Sequence, residues 1–193
     1  MKKTIHHLIA IAFVITLAAG CASAPARFYS LNSTAVGDGA ANTNYSVIVG
    51  PVSVPALVDR PQWVVDVATN RVAIDEFNRW AEPLNDNIAS VVADDLAVLL
   101  GTSRVAVAPM ANFDAAWRVA VSIQRFESRP GRSVLIEAVW TVRKSTGGNA
   151  QCGRTLASEP LTGTGFSELA AAHSRALAKI SHDIANVIHA GAE

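Results

Sequence analysis

The helical repeat near the end of the chain constrains the fold most. From residue 166 onward, apolar side chains and one histidine recur at spacings of three and four, the repeat of one helix face. They are Phe166, Leu169, His173, Leu177, Ile180, Ile184, Val187 and Ile188. A second such stripe follows Pro83, which suits a first helical turn, and ends at Gly101. Two helices with one apolar face each need a common surface on which to bury those faces.

Segments typical of strands supply that surface. Residues 63–68 and 70–74 flank Thr69-Asn70 and predict a hairpin. The other predicted strands cover residues 45–49 (ended by Gly50-Pro51), 105–108, 117–127, 134–143 and 150–156. We therefore predict an α/β fold, a single domain over residues 45–193 with a mixed β-sheet and two long amphipathic helices packed on it.

Residues 1–20 have the layout of a secretory signal peptide. Two lysines precede an apolar run over residues 8–17 that is too short to cross a bilayer, and small residues follow. Cys21 comes next, so the segment is similar to the lipobox of bacterial lipoproteins, with Ala18 where leucine is favoured. We predict that Cys21 is acylated; the alternative is ordinary cleavage that leaves a free thiol. Ala22, in place of an aspartate, favours the periplasmic face of the outer membrane.

Residues 21–44 are predicted to be the lipid anchor and a tether, because small and polar residues predominate there. The apolar island FYSL, residues 28–31, interrupts this composition. We expect it to dock as an edge strand, since an exposed apolar segment beside a bilayer would be a liability. Docking holds the domain within about 20 Å of the membrane, whereas a loose tether would reach about 25 Å on average.

Composition and motifs disfavour catalysis and nucleic-acid binding. The formal net charge is +0, and the sequence lacks the motifs of nucleotide-binding proteins, zinc proteases and serine hydrolases. His173 falls on the apolar stripe and is interpreted as a core residue. Asp94 and Asp95 point about 100° apart on a helix and are interpreted as a solvated face, and Cys152 as a small buried side chain. We expect no enzyme, no catalytic residue, no metal site and no cofactor.

A cluster of mixed chemistry is predicted to be an assembly surface. Because the hairpin turns at residues 69–70, its open end should lie near the start of the first helix. This brings together Asp59, Arg60, Pro61, Arg79, Trp80, Glu82 and Pro83. An aromatic ring with two arginines and two acids suits an interface. The alternative is that Trp80 fills the core while an arginine pairs with an acid and fixes the helix entry.

Several segments carry a family resemblance. Residues 48–63 read IVGPVSVPALVDRPQW, residues 77–100 read FNRWAEPLNDNIASVVADDLAVLL, and residues 171–185 read AAHSRALAKISHDIA. With the lipobox cysteine and the early FYSL, they resemble the PqiC family, also described as ABC-type transport auxiliary lipoproteins and including YmbA-like proteins. The resemblance covers essentially the whole chain from Cys21 onward.

The resemblance implies an α/β layered fold and a non-catalytic lipoprotein of an MCE-type system that moves lipids between the two membranes and supports envelope integrity. Its implied partners are the outer membrane, reached through acylated Cys21, an MCE-domain periplasmic protein, an inner-membrane transporter component and further copies in a ring; nucleic acid is not among them. Two other classes stay open. One is a monomeric periplasmic lipid carrier with a pocket between helix and sheet, and the other is an envelope hydrolase, which the missing motifs disfavour.

Overall fold

The computed structural model describes residues 24–37 and 44–192, which form eight strands and two helices. In chain order these are β1 (Arg27–Tyr29), β2 (Val47–Ser53), β3 (Gln62–Ala68), β4 (Arg71–Trp80), α1 (Leu84–Leu99), β5 (Val105–Val107), β6 (Trp117–Arg129), β7 (Ser133–Lys144), β8 (Gln151–Pro160) and α2 (Phe166–Ala192).

The strands form two mixed sheets, whereas the sequence predicts one. Five strands lie in the order β5-β2-β6-β7-β8, and three lie in the order β1-β4-β3. The β3–β4 hairpin is present as predicted, with Asn70 in the left-handed region at a φ of 60°. It hydrogen-bonds to β1, and it meets the larger sheet through side chains: the Trp63 indole Nε1 donates to Ser128 Oγ of β6 over 2.9 Å. The chain is still a single α/β domain, which confirms the predicted fold class.

Both helices bury the faces that their repeats predict. Helix α1 packs on β2 and β5, α2 packs on β7 and β8, and the two helices contact each other. Side chains such as Ile88, Leu96, Leu177 and Ile180 are completely buried in this layer. Helix α1 begins directly after Pro83, and Gly101 beyond its end has a φ of 59°, a conformation that glycine adopts without strain. Neither helix of the described residues combines the length and apolar character needed to cross a membrane.

Strand β2 continues through Gly50-Pro51, where the sequence predicts its end. Its register with β6 shifts between Val49 and Val52, so the glycine and proline form a bulge. A bulge leaves residues outside the hydrogen-bonded ladder and therefore accommodates a proline, which has no N–H to donate. The strand resumes beyond the bulge and reaches Ser53.

The apolar island of the tether lies against the domain. Strand β1 pairs in parallel with β4, with Arg27 opposite Asn78 and Tyr29 opposite Trp80. Leu31, just beyond the strand, is buried, whereas Phe28 keeps 64% of its surface exposed. The strand starts one residue before the predicted range 28–31. The signal peptide and Cys21 lie outside the described residues.

Cys152 is exposed, so its predicted burial is wrong. On β8 the inward-facing positions are odd-numbered, because Thr155, Ala157 and Glu159 are buried. Successive strand residues point to opposite faces. Cys152 therefore lies on the solvent face of this edge strand.

Candidate functional site

The open end of the β3–β4 hairpin forms a surface depression of about 420 Å³. Six of the seven residues predicted for the assembly surface line it, together with Ala81 and Leu84: Asp59, Arg60, Pro61, Trp80, Glu82 and Pro83. The Trp80 N–H donates to the Pro61 carbonyl over 2.8 Å and joins residues 59–61 to residues 80–84. The seventh residue, Arg79, does not line the depression. We call this site the hairpin depression.

Trp80 reaches from the hairpin depression into the core. It is only 5% exposed, and its ring stacks on that of Trp63 with centroids 3.9 Å apart. It also meets Phe126 edge-on at 6.0 Å. The ring therefore packs as the core alternative describes, and the surface available to a partner is the exposed rim formed by Asp59, Pro61, Glu82 and Pro83.

The core alternative also proposed that an arginine pairs with an acid and fixes the helix entry. Among the described residues, neither Arg60 nor Arg79 forms an ion pair with Asp59 or Glu82. Arg79 Nε donates to the Glu76 carbonyl over 2.7 Å, and its Nη2 lies 3.6 Å from Glu76 Oε2. Arg60 Nε is buried and has no hydrogen-bond partner among the described residues. Among the described residues, Glu82 Oε1 accepts only a long hydrogen bond, 3.5 Å, from Ser30 Oγ. The helix entry is fixed by the backbone, and the charges at the rim stay available for contacts with another molecule.

Asp95 has a role that the sequence interpretation missed. Asp94 is exposed as expected, but Asp95 is completely buried, so a solvated face is wrong for it. Its Oδ1 accepts from Ser33 Oγ at 2.7 Å and from the N–H groups of residues 34 and 35 at 3.2 Å each. Its Oδ2 accepts from Ser181 Oγ at 3.0 Å. The carboxylate thus joins α1 and α2 to the N-terminal segment, a name we use for residues 27–35.

Two further side chains hold the N-terminal segment. Asn87 of α1 accepts from the Leu31 N–H at 2.7 Å and donates back to the Leu31 carbonyl at 3.3 Å. Ser174 of α2 accepts from the Asn32 N–H at 3.1 Å. The segment is therefore fixed to both helices by buried polar groups as well as by its apolar side chains.

Asp95→Ala should lower the free energy of unfolding by about 2–4 kcal/mol, because it leaves several partly buried donors without an acceptor. Burial raises the pKa of this carboxyl, so its hydrogen bonds offset a real desolvation cost. Urea unfolding measures the effect, and Asp94→Ala is the matched control, expected within about 0.5 kcal/mol of the wild type. Equal losses for the two variants would mean that Asp95 does not hold the segment.

A hydrogen-bonded chain of three side chains runs through the core. Trp63 Nε1 donates to Ser128 Oγ, which is joined to His173 Nε2 at 2.8 Å. The imidazole stacks on Phe126 at 3.9 Å, and its Nδ1 has no partner among the described residues. Ser128 and His173 are 1% and 0% exposed, so this serine–histidine pair cannot reach a substrate. Within the described residues, no group of three His, Cys, Asp or Glu is placed to hold a metal ion.

His173 should make the fold sensitive to acid. Burial lowers its pKa from 6.5 to about 3. Below pH 6.5 the unfolded chain therefore binds a proton that the folded chain does not. The free energy of unfolding should fall by about 1.4 kcal/mol for each unit by which the pH decreases in that range. His173→Phe should flatten the pH dependence of urea unfolding between pH 7 and pH 5. An unchanged slope would show that the histidine is protonated in the folded state.

The buried core histidine, all of α1 and most of α2 and of the N-terminal segment lie within one sequence match. A family model described as "ABC-type transport auxiliary lipoprotein component" matches residues 29–185. The chain belongs to this family. The match confirms the resemblance to the PqiC and YmbA-like proteins, and it makes the chain an auxiliary lipoprotein component of ABC-type transport. A comparison with curated proteins gave no match.

Solved structures share the fold of this auxiliary lipoprotein. A crystal structure of an uncharacterized protein is 20% identical and superposes with a TM-score of 0.69, covering 86% of this chain and 99% of that chain. A crystal structure of a protein from Xanthomonas campestris is 18% identical with a TM-score of 0.66, covering 82% of this chain and 92% of that chain. The shared fold therefore covers more than four fifths of this chain and more than nine tenths of each solved chain.

Proposed function

We propose that the chain is anchored to the periplasmic face of the outer membrane and serves as a non-catalytic subunit of an MCE-type lipid transport system. It docks the periplasmic tunnel of an MCE-domain protein at the outer membrane, as a homo-oligomeric ring, and so supports envelope integrity. The observation that carries this proposal is the family match over residues 29–185.

The length of the anchor supports a position close to the membrane. Only five residues lie between Cys21 and the first residue of β1, Arg27, so the two are six residue steps apart. Six extended residues span about 20 Å. Because Asn87 and Asp95 fix the N-terminal segment to the helices, no further chain is free to lengthen the tether. The domain is then held against the leaflet that carries the acylated cysteine.

The hairpin depression supports a docking role. Strand β4 runs from Arg71 at the hairpin tip to Trp80 at the depression, which is about 30 Å. The depression is thus at the end of the β3–β4 hairpin away from its tip, and its rim carries charge that forms no ion pair within the part of the chain that the structure describes. We propose Asp59, Arg60, Pro61, Glu82 and Pro83 as the partner surface, with Trp80 as its buried support and Arg79 beside it.

The polar groups and the core support a role without catalysis. The serine–histidine pair that a hydrolase would use is enclosed in the core. A lipid carrier would need an apolar cavity between helix and sheet, and that layer is filled by completely buried side chains such as Ile136, Ile180 and Ile184. Neither alternative is favoured by a feature of the described residues.

Separation of inner and outer membranes on a density gradient tests the proposed location. The wild type should band with the outer membrane and should restore detergent resistance to cells that lack the gene. Ala22→Asp leaves the folded domain unchanged and should move the protein to the inner membrane, with loss of that rescue. Wild-type protein in the inner-membrane fraction would contradict the proposal.

A further inference from the structure

Two turns that are distant in sequence lie together at the hairpin tip. A groove of about 750 Å³ lies between the tip of the β3–β4 hairpin, residues 67–72, and the β6–β7 turn. Its lining includes four arginines and two carboxylates: Arg71, Arg125, Arg129, Arg132, Asp66 and Glu127. We call this end of the molecule the arginine tip. Positive charge predominates there in a chain whose formal net charge is +0.

Two of the four arginines are free for an outside ligand. Glu127 Oε1 pairs with Arg125 Nη2 at 2.7 Å, and its Oε2 pairs with Arg129 Nη2 at 2.6 Å. The side chains of Arg71 and Arg132 are exposed and make no ion pair with any described residue. Val67 and Val72 beside them are 46% and 39% exposed. Exposed cations next to exposed apolar side chains match the chemistry of a phospholipid surface, with phosphates above acyl chains.

The anchor reaches the domain from the side of the arginine tip. Because β1 is parallel to β4 with Arg27 opposite Asn78, the chain enters β1 from the direction of the hairpin turn. From Asn78 back to Arg71 along β4 is about 23 Å. The six residue steps from Cys21 to Arg27 span about 20 Å when extended. A tether of that length keeps the hairpin tip within reach of the leaflet.

We propose that the arginine tip binds the phosphate groups of the phospholipids in the leaflet that holds the anchor, with Arg71 and Arg132 as the principal contacts. This inference rests on the membrane anchoring in the proposed function. It fixes the orientation of the domain: the arginine tip faces the bilayer, and the hairpin depression, at the far end of β4, faces away from it toward the periplasm.

A fluorescent probe at each end of the full acylated chain tests the orientation. With Cys152→Ser as background, Thr69→Cys places a label at the arginine tip. Asn149→Cys places one in the connection between β7 and β8, beyond the end of β7 that lies about 36 Å from the β6–β7 turn. The chain is reconstituted in phosphatidylethanolamine vesicles containing phosphatidylglycerol and a headgroup nitroxide lipid. We expect the nitroxide to quench the label at position 69 and to leave the label at position 149 bright.

Removal of charge tests the contacts. An arginine near an anionic surface changes a binding equilibrium by about fivefold, so Arg71→Gln with Arg132→Gln should lower the ratio of docked to undocked domains by about 25-fold. The matched control is Arg118→Gln with Arg143→Gln, a pair of facing exposed residues at the other end of the sheet, which should leave quenching unchanged. Quenching should also fall in 1 M salt, where screening is strong.

The outcomes separate the inference from the function on which it rests. Mass spectrometry that finds no acyl chain on Cys21 would contradict the anchoring, and the unmodified chain would then be tested for binding to the same vesicles. An acylated chain with an unquenched label at position 69, with equal quenching at both ends, or with equal effects of the two arginine pairs would overturn the membrane-facing arginine tip.

Discussion

Cys21→Ser should abolish attachment to the outer membrane and leave the chain either soluble or unprocessed. Lipoprotein processing would attach acyl chains to both the thiol and the new amine of Cys21, and each buried CH₂ contributes about 0.8 kcal/mol. Several chains together anchor a protein far more firmly than the marginal attachment of one chain.

Membrane fractionation after a salt wash measures this effect. The wash removes proteins that are held by charge alone, including any contact through the arginine tip, because such contacts are screened. Cys152→Ser is the matched control and should fractionate like the wild type, since Cys152 is an exposed free thiol of the folded domain. A Cys21→Ser chain that stays with the outer membrane after the wash would show that the anchor lies elsewhere.

Trp80→Ala should lower the free energy of unfolding by about 3–5 kcal/mol, the usual loss for a large aromatic side chain removed from a core. The expectation follows from its burial and from the ring of Trp63 stacked on it at 3.9 Å. Glu82→Ala, at the exposed rim of the same depression, should change stability by about 0.5 kcal/mol or less.

The two variants also separate packing from partner binding. Thermal and urea unfolding report the stability, and size measurements on the detergent-solubilised chain report the oligomer. A Trp80→Ala chain of near-normal stability that no longer assembles would contradict the core role of Trp80. A Glu82→Ala chain that keeps its stability and loses its partner is the result expected for an interface residue.

The helices could be predicted because a short-range repeat of apolar residues indicates which face of each helix is buried. In α1 and α2, side chains three or four residues apart share one face, and those faces are the ones buried in the structure. The hairpin was predictable from two strand-like segments that flank the turn residues Thr69-Asn70. The presence of a second sheet could not be predicted, because that sheet includes the pairing of β4 with β1, whose residues lie some fifty positions away in sequence.

Asp95 shows where a local interpretation is insufficient. An aspartate beside another aspartate on a helix is usually solvated, yet Asp95 lies three positions after Val92 and four before Leu99, both on the apolar stripe. That spacing places it on the buried face and could have identified it. Its hydrogen-bond partners, residues 33–35 and Ser181, come from two other parts of the chain, so the sequence alone could not supply them.

The hairpin depression was partly predictable. The juxtaposition of residues 59–61 with residues 80–83 follows from hairpin geometry, and the structure brings them together. The charge pairing could not be derived, because it depends on side-chain conformations: Arg79 turns toward Glu76 of its own strand, and Arg60 Nε is buried without a partner among the described residues.

Capture of partners by the full acylated chain, tagged at its C-terminus and solubilised from native membranes, tests the proposed transport role most directly. The wild type should retain an MCE-domain protein identified by mass spectrometry. Arg60→Glu combined with Glu82→Lys, which reverses charge at the hairpin depression, should lose it while keeping a wild-type unfolding transition. Arg118→Glu with Arg143→Glu, away from the depression, should retain it. A wild-type eluate that contains the chain and its anchor but no MCE-domain protein would contradict the account.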